Sequence, residues 1–357
     1  MTVTGRTLLR PTGFVDSPFG HDGKVARLAG GLNWFASVEL IHAGSVRELV
    51  PVEGIEARLD KAMAADWARI QAPRAALTLG ERVIRLDQPQ VMGIVNATPD
   101  SFSDGGAHAT ANDAAEAGSR MAAAGAAIVD VGGESTRPGA SDVWEGDEIE
   151  RVLPIVQRLA ASGTAVSIDT RKSGVMKAAC GAGAGLVNDV SALTWDPQSA
   201  SVVAEAGVPV VLMHHQGDPQ TMQDAPRYRD VLVEVFEWLE ERVAAAVEAG
   251  ISREHILVDP GIGFGKSVAH NLELMNGLAL FHGLGCPIVL GASRKRMIGA
   301  LSGEAPADQR LPGSLALALK AVEQGAQIVR VHDVPETVQA FKVWRGLRDA
   351  ALTPRLA

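Results

Sequence analysis

Hydrophobic residues along this chain follow two recurring patterns. From Val91 onward, short runs rich in Val, Ile and Leu alternate with longer segments whose apolar positions recur every three or four residues. The short runs are Val91–Val95, Ala126–Val131, Ala165–Ile168, Leu186–Asn188, Pro209–Met213, Ile256–Val258, Pro287–Leu290 and Gln327–Val331. They lack strict polar alternation, as expected of parallel strands buried on both faces. The segments between them read as helices. Val231, Leu232, Val235, Phe236, Leu239 and Val243 form one apolar stripe. Val338, Phe341 and Trp344 form another, with Pro335 near that helix's first turn. Strand–helix pairs repeated eight times over about 260 residues match a (β/α)8 TIM barrel. An open doubly wound sheet is the competing arrangement, but no Gly-rich dinucleotide loop follows the first run.

Ala75–Leu86 reads as an antiparallel β-hairpin turning at Gly80, ahead of the first barrel strand. The residues before it differ in character. They contain a Gly30–Gly31 segment, an apolar stretch Leu32–Ile41 and a candidate helix Ile55–Ile70. The division expected is an N-terminal extension of unknown role over 1–72 and a barrel with its hairpin over 73–350.

Composition narrows the class. At 46% hydrophobic and 21% charged over 357 residues, the chain has ample apolar material for a core and is not a disordered protein. Lys and Arg total 33 against 42 Asp and Glu, and this net charge of −9 disfavours nucleic acid as the main partner. The two cysteines, Cys180 and Cys286, are too far apart to form a metal-like pair and suit a reducing compartment. The opening MTVTGRTLLRPTGF holds no continuous apolar stretch of the secretory kind. No run of about 18 apolar residues occurs. A cytoplasmic protein without a membrane partner is expected.

In such a barrel, chemistry belongs at the C-terminal ends of the strands. The loops there are rich in ionisable groups. Asp169, Asn188, Asp259 and Lys295 offer carboxylates, an amide and a cation suited to the donor/acceptor edge of a flat, nitrogen-rich heterocycle. Thr136, Arg137, Arg330 and His332 form an anion-binding set, and Arg330 and His332 lie two apart on one strand. Asn96 offers a neutral oxygen compatible with Mg²⁺. Lys295 alone also suits a solvated helix start or a Schiff-base lysine, but its Ser-Arg-Lys setting favours substrate recognition. Glu134 and Asp189 read as structural.

Three tempting motifs fail. Gly261-Ile262-Gly263-Phe264-Gly265-Lys266-Ser267 resembles a P-loop, but its required first glycine falls on Pro260. His214 and His215 are strand neighbours whose side chains diverge, which argues against a zinc site. No G-x-S-x-G elbow supports acyl transfer.

From about Leu77 to Trp344 the chain resembles dihydropteroate synthase of folate biosynthesis, a sulfonamide target. The likeness rests on MGIVNATPDSFSDGG (Met92–Gly106), VDVGGESTRPGA (Val129–Ala140), DPGIGFGK (Asp259–Lys266), ASRKR (Ala292–Arg296) and RVHDV (Arg330–Val334). The resemblance implies condensation of (7,8-dihydropterin-6-yl)methyl diphosphate with 4-aminobenzoate, giving 7,8-dihydropteroate and pyrophosphate. It implies a pterin pocket of Asp169, Asn188, Asp259 and Lys295 with Met213 and Phe264 as apolar walls. The diphosphate site it implies comprises Thr136, Arg137, Arg330 and His332, with Asn96 as the Mg²⁺ ligand. Phe102, Asp104 and Pro138 then approach the aminobenzoate. Catalysis falls to Asp104, Arg137 and Lys295 in a dissociative reaction where pyrophosphate leaves first. A homodimer is implied too.

The chain departs from the family pattern at Arg296, where some members carry a serine that contacts the aminobenzoate, and at Ala97, where valine is more usual. Two alternatives compete: a pterin-binding methyltransferase with the same barrel, disfavoured by the anion set, and an inactive pterin-binding homologue, disfavoured by the intact rim motifs.

Overall fold

The computed structural model describes residues 5–97, 107–134, 142–217 and 222–353. Ahead of the barrel, Leu8–Val15 (β1), Ala26–Arg27 (β2), Trp34–Ile41 (β3) and Arg47–Pro51 (β4) form an antiparallel sheet in which β3 pairs with the other three. Helix Lys61–Gln71 (α1) packs Met63 and Ile70 among Leu9, Phe35, Val38 and Leu40. This helix begins later than its apolar pattern suggests. Asp60 accepts the backbone N–H of Met63 and caps it, while the preceding residues make 3₁₀ turns at Val52–Gly54 and Glu56–Arg58.

The N-terminal unit lies against the outside of the barrel. Arg69 Nε donates to the Gly283 carbonyl at 2.6 Å, Arg74 Nη2 to that of His282 at 3.1 Å, and Asn33 Nδ2 to that of Val322 at 2.6 Å. Leu8 and Ile41 enter the main core beside Phe281 and Leu284. Leu77–Leu79 (β5) and Arg82–Ile84 (β6) form the expected hairpin, with Gly80 at φ 60° in its turn.

Eight parallel strands follow: Gln90–Asn96 (β7), Ile128–Gly132 (β8), Val166–Asp169 (β9), Leu186–Asp189 (β10), Val210–Met213 (β11), Ile256–Asp259 (β12), Val289–Leu290 (β13) and Ile328–Val331 (β14). Each starts and ends close to the apolar run that predicts it. Adjacent strands pair in sequence order, β14 returns to pair with β7, and a parallel bridge from Val258 to Ile288 closes β12 onto β13. The fold is a TIM barrel.

The surrounding helices are Ala107–Ala123 (α2), Glu145–Ala161 (α3), Ser173–Gly181 (α4), Ser199–Ala206 (α5), Val231–Glu248 (α6), Val268–Gly277 (α7), Arg296–Leu301 (α8), Leu311–Glu323 (α9) and Val334–Leu352 (α10). Pro335 sits in the first turn of α10, where a missing N–H costs nothing. Among the described residues, no helix is long and apolar enough to cross a membrane.

Alternation along the strands explains why their sequences are apolar on both faces. Val129, Val131, Val166, Ile168, Val187, Val210, Leu212 and Val258 point out and pack under the helices. Met92, Ile128, Ala165, Leu186, Val211, Leu257, Val289 and Ile328 point in and form one buried cluster with Leu77, Leu79, Ile84 and Leu86 of the hairpin. The hairpin thus plugs the N-terminal end of the barrel with apolar side chains. Only the other end is left to carry polar groups.

Candidate active site

Two residues beyond that plug, the inward face of the strands changes character. The positions reached are Ile94, Asp130, Ser167, Asn188, Met213, Asp259, Gly291 and Arg330. Arg330 on β14 holds the layer together. Its Nε donates to Asp130 Oδ2 at 2.6 Å and its Nη2 to Asp169 Oδ2 at 2.6 Å. Asn188 Nδ2 donates to the same Asp130 oxygen at 3.0 Å. Four strands therefore meet in one charge-assisted network, of the kind that needs exact geometry to offset desolvation.

One guanidinium faces two carboxylates here. Burial raises the Asp169 carboxyl to about 7; Arg330 opposes the rise, while the charges of Asp130, Glu148 and Asp189 add to it. Burial weighs against the Arg330 cation as well, but Asp130 and Asp169, with Asp259, outweigh it and hold the proton more firmly than usual. Asp169 thus takes up a proton far more readily than an exposed carboxylate does. Such a group meets either a donor or an acceptor on a heterocycle.

Asp259 ends β12 across the mouth. Its Oδ1 accepts the Gly261 N–H at 2.7 Å. Burial raises its carboxyl to about 6, against the pull of that hydrogen bond and of the Lys295, Lys266 and Arg330 charges. The glycines after it serve packing. Gly261 has φ 69°, and a Cβ there would overlap the His214 carbonyl oxygen.

Lys266, the residue that makes this loop look like a P-loop, is folded inside. Its Nζ reaches His214 Nδ1 at 2.8 Å and the carbonyls of Gly261 at 2.9 Å and Phe264 at 3.0 Å. Burial, with Lys266 alongside, holds His214 neutral, so its Nδ1 accepts. His215 turns to the Gly217 carbonyl at 3.3 Å, while both imidazoles sit edge-on to the Trp238 ring, with centroids 4.9 and 6.1 Å away.

Phe264 and Lys295 meet over this loop, with Lys295 Nζ 4.0 Å from the ring centroid. Lys295 caps α8, and its place is set by the residue before it. Arg294, at φ 58°, donates through Nε to Asp333 at 3.0 Å and through its backbone N–H to Ser314 Oγ at 2.9 Å. Arg296 is exposed. His332 stands beside Ser293, Nδ1 to Oγ 3.1 Å. Met213 is buried at the end of β11, and Asn96 is half-buried at the end of β7, opposite Gly132 in register.

The sequence-derived residues therefore divide three ways. Asp169, Asn188 and Arg330 are drawn into one network, so Arg330, placed by sequence in the anion set, is held among the pterin-zone groups. Asp259 ends β12, with Phe264 in the loop that follows and Lys295 at the start of α8. Phe102, Asp104, Thr136, Arg137 and Pro138 lie outside the described residues. Glu134, read as structural, accepts the Val143 N–H at 3.0 Å and pairs with Arg171 and Lys172 at 3.2 Å each. Asp189 accepts from Ser191 and Leu193.

Sequence reasoning missed Asp130. Its signal was present: a lone carboxylate inside the run Ile-Val-Asp-Val-Gly, two positions from inward-facing Ile128.

A model of the family described as "Pterin binding enzyme" matches residues 92–332. The dihydropteroate synthase of Escherichia coli K12 is 49% identical over 259 residues, covering 72% of this chain and 91% of that protein. The Xanthomonas albilineans dihydropteroate synthase structure with 4-aminobenzoic acid superimposes with a TM-score of 0.73 at 48% identity, covering 77% of this chain and 98% of that one. The same enzyme in complex with 7,8-dihydropteroate gives a TM-score of 0.70 at 46% identity, covering 76% and 98%. The family model begins at residue 92, so the N-terminal sheet lies outside it.

Proposed function

The chain belongs to the pterin binding enzyme family, and from its dihydropteroate synthase relatives we propose how its barrel mouth joins a pterin-methyl diphosphate to 4-aminobenzoate. The observation that carries this assignment of roles is the Asp130–Arg330–Asp169–Asn188 network facing Asp259. Its carboxylates and amide support the reading because they match in kind the ring N–H, amino and carbonyl groups on the edge of a pterin.

Asp169, Asn188 and Asp259 read that edge, and Met213 and Phe264 provide apolar walls. Lys295, steadied over Phe264, contributes a cation near the ring. Thr136, Arg137 and His332 grip the diphosphate, with Arg330 joining the two subsites. The methylene C–O bond breaks first, its electron pair leaving with pyrophosphate. Arginine charge favours that departure. The methylene cation is stabilised by Asp104. The arylamine nitrogen of the aminobenzoate, whose ring Phe102 and Pro138 approach, then forms the C–N bond and releases a proton.

Asn96 supplies one neutral oxygen at the rim, a donor suited to Mg²⁺ held chiefly by substrate phosphates and water. When bound, that ion offsets negative charge on the diphosphate. A cytoplasmic location accords with the free Cys180 and Cys286, and a homodimer with the family resemblance.

The direct test is to incubate the purified protein with the pterin diphosphate, 4-aminobenzoate and Mg²⁺. Dihydropteroate and pyrophosphate should appear in equal amounts. Folded protein that yields neither product overturns the reading.

A further inference from the structure

We propose that Asp130 is a positioning residue of the pterin site, fixing the Arg330 guanidinium and the Asn188 amide in one arrangement across the barrel. This rests on the barrel mouth being the pterin site, and goes beyond it by assigning a part to a residue outside the expected binding set.

The geometry is specific. Asp130 is fully buried, and a single oxygen, Oδ2, takes both Arg330 Nε at 2.6 Å and Asn188 Nδ2 at 3.0 Å. Its other oxygen, Oδ1, has no hydrogen-bond partner among the described residues. A buried carboxylate in that position is costly unless its charge is used. Arg330 is what uses it. A long, flexible arginine anchored by Nε presents its remaining N–H groups in one direction, and one of these meets Asp169 at 2.6 Å. Asn188 is fixed in the same way: with its NH₂ committed to Asp130, its carbonyl oxygen is directed elsewhere.

Sharing Arg330 also ties Asp130 to the protonation of Asp169. The groups acting on Asp169 are Arg330 from β14, Asp130 from β8, Glu148 from α3 and Asp189 from β10. Burial is the largest influence, Arg330 lowers the pKa, and the three carboxylates raise it. Removing the Asp130 charge withdraws one raising influence and leaves Arg330 more fully to Asp169. Both changes have the same sign: Asp169 becomes more acidic.

The test is steady-state kinetics and calorimetry on the full chain carrying Asp130→Asn. Loss of a charge-assisted anchor predicts a fall of about 10- to 100-fold in kcat/KM for the pterin diphosphate, with a matching loss of free-pterin affinity. KM for 4-aminobenzoate should stay within about twofold, on the scale of error expected for a group that does not touch it. The Asp169 limb of the pH profile should move to lower pH, which loss of general stability would not produce. If Asp130→Asn does not fold, Asp130→Ser gives the same readout, since it leaves the Arg330–Asp169 pair in place. A folded variant with wild-type pterin parameters and an unmoved pH profile overturns the proposal, as does an equal loss for both substrates. Inactivity of the wild-type chain would instead overturn the assigned reaction.

Discussion

Arg330 Nε and Asp130 Oδ2 lie 2.6 Å apart although 200 positions separate them in sequence. The contact exists because β14 returns to pair with β7, itself paired with β8. Barrel closure, and not local sequence, delivers the arginine to its carboxylates. Replacing Arg330 by Lys keeps the charge but loses the planar fork that spans Asp130 and Asp169. Arg330→Lys should lower kcat/KM for the pterin diphosphate by about 100-fold. Arg330→Met leaves two buried carboxylates against one another and should cost about 3–5 kcal/mol in urea unfolding.

Asp259 makes stability depend on pH in an unusual direction. Its folded pKa is raised from 3.8 to about 6, so between those values the native state binds more protons than the unfolded chain. Stability from this group therefore falls as pH rises through that window. Asp169, raised to about 7, acts in the same sense. Asp259→Asn keeps an oxygen for the Gly261 N–H and removes the buried charge. Its melting temperature should exceed that of the wild type at pH 8 and lose that advantage near pH 4, while pterin affinity drops. Thermal scans at the two pH values check the crossover.

Lys266 distinguishes a loop anchor from a phosphate ligand. Because its Nζ is spent on His214, Gly261 and Phe264, Lys266→Met should weaken free pterin and pterin diphosphate by the same factor. A phosphate-binding lysine would affect the diphosphate alone. Calorimetry with both ligands separates these outcomes.

Asn96→Ala should show the opposite selectivity. It leaves the Arg330 network untouched and removes only a rim oxygen, so free pterin should bind as before. The Mg²⁺ concentration needed for half-maximal activity should rise about tenfold or more. A magnesium titration of the initial rate measures it.

Deleting residues 1–72 should damage stability before chemistry. The deletion strips Leu8 and Ile41 from the core and leaves the carbonyls of Gly283 and Val322 without their Arg69 and Asn33 donors. Lower melting temperature and solubility, with kcat per folded molecule unchanged, are expected. A loss of kcat in fully folded truncated protein would assign this unit a part in catalysis.

Much of this molecule was legible in one dimension. Strand positions, the hairpin and the barrel class follow from short continuous apolar runs alternating with segments of helical period, because both are local properties of the chain. The candidate residues were found because barrel chemistry collects at strand ends, and Asp169, Asn188, Asp259, Lys295 and His332 occupy those ends.

What pattern could not supply was pairing. Arg330 reads as an anion ligand through its neighbour His332, and folding adds a pairing with Asp130 and Asp169 that its local sequence does not carry. Lys266 read as part of a near-miss phosphate loop, but positive-φ glycines turn the chain so that its amine caps carbonyls inside. The N-terminal sheet was invisible as a unit because β1, β2 and β4 each depend on β3 for their hydrogen bonds. Periodicity states which face of an element is buried; which charges then share that burial is decided by the closure and stagger of the barrel. Desolvation makes the decision consequential, since a buried charge must find its partner in the fold or give up its ionisation.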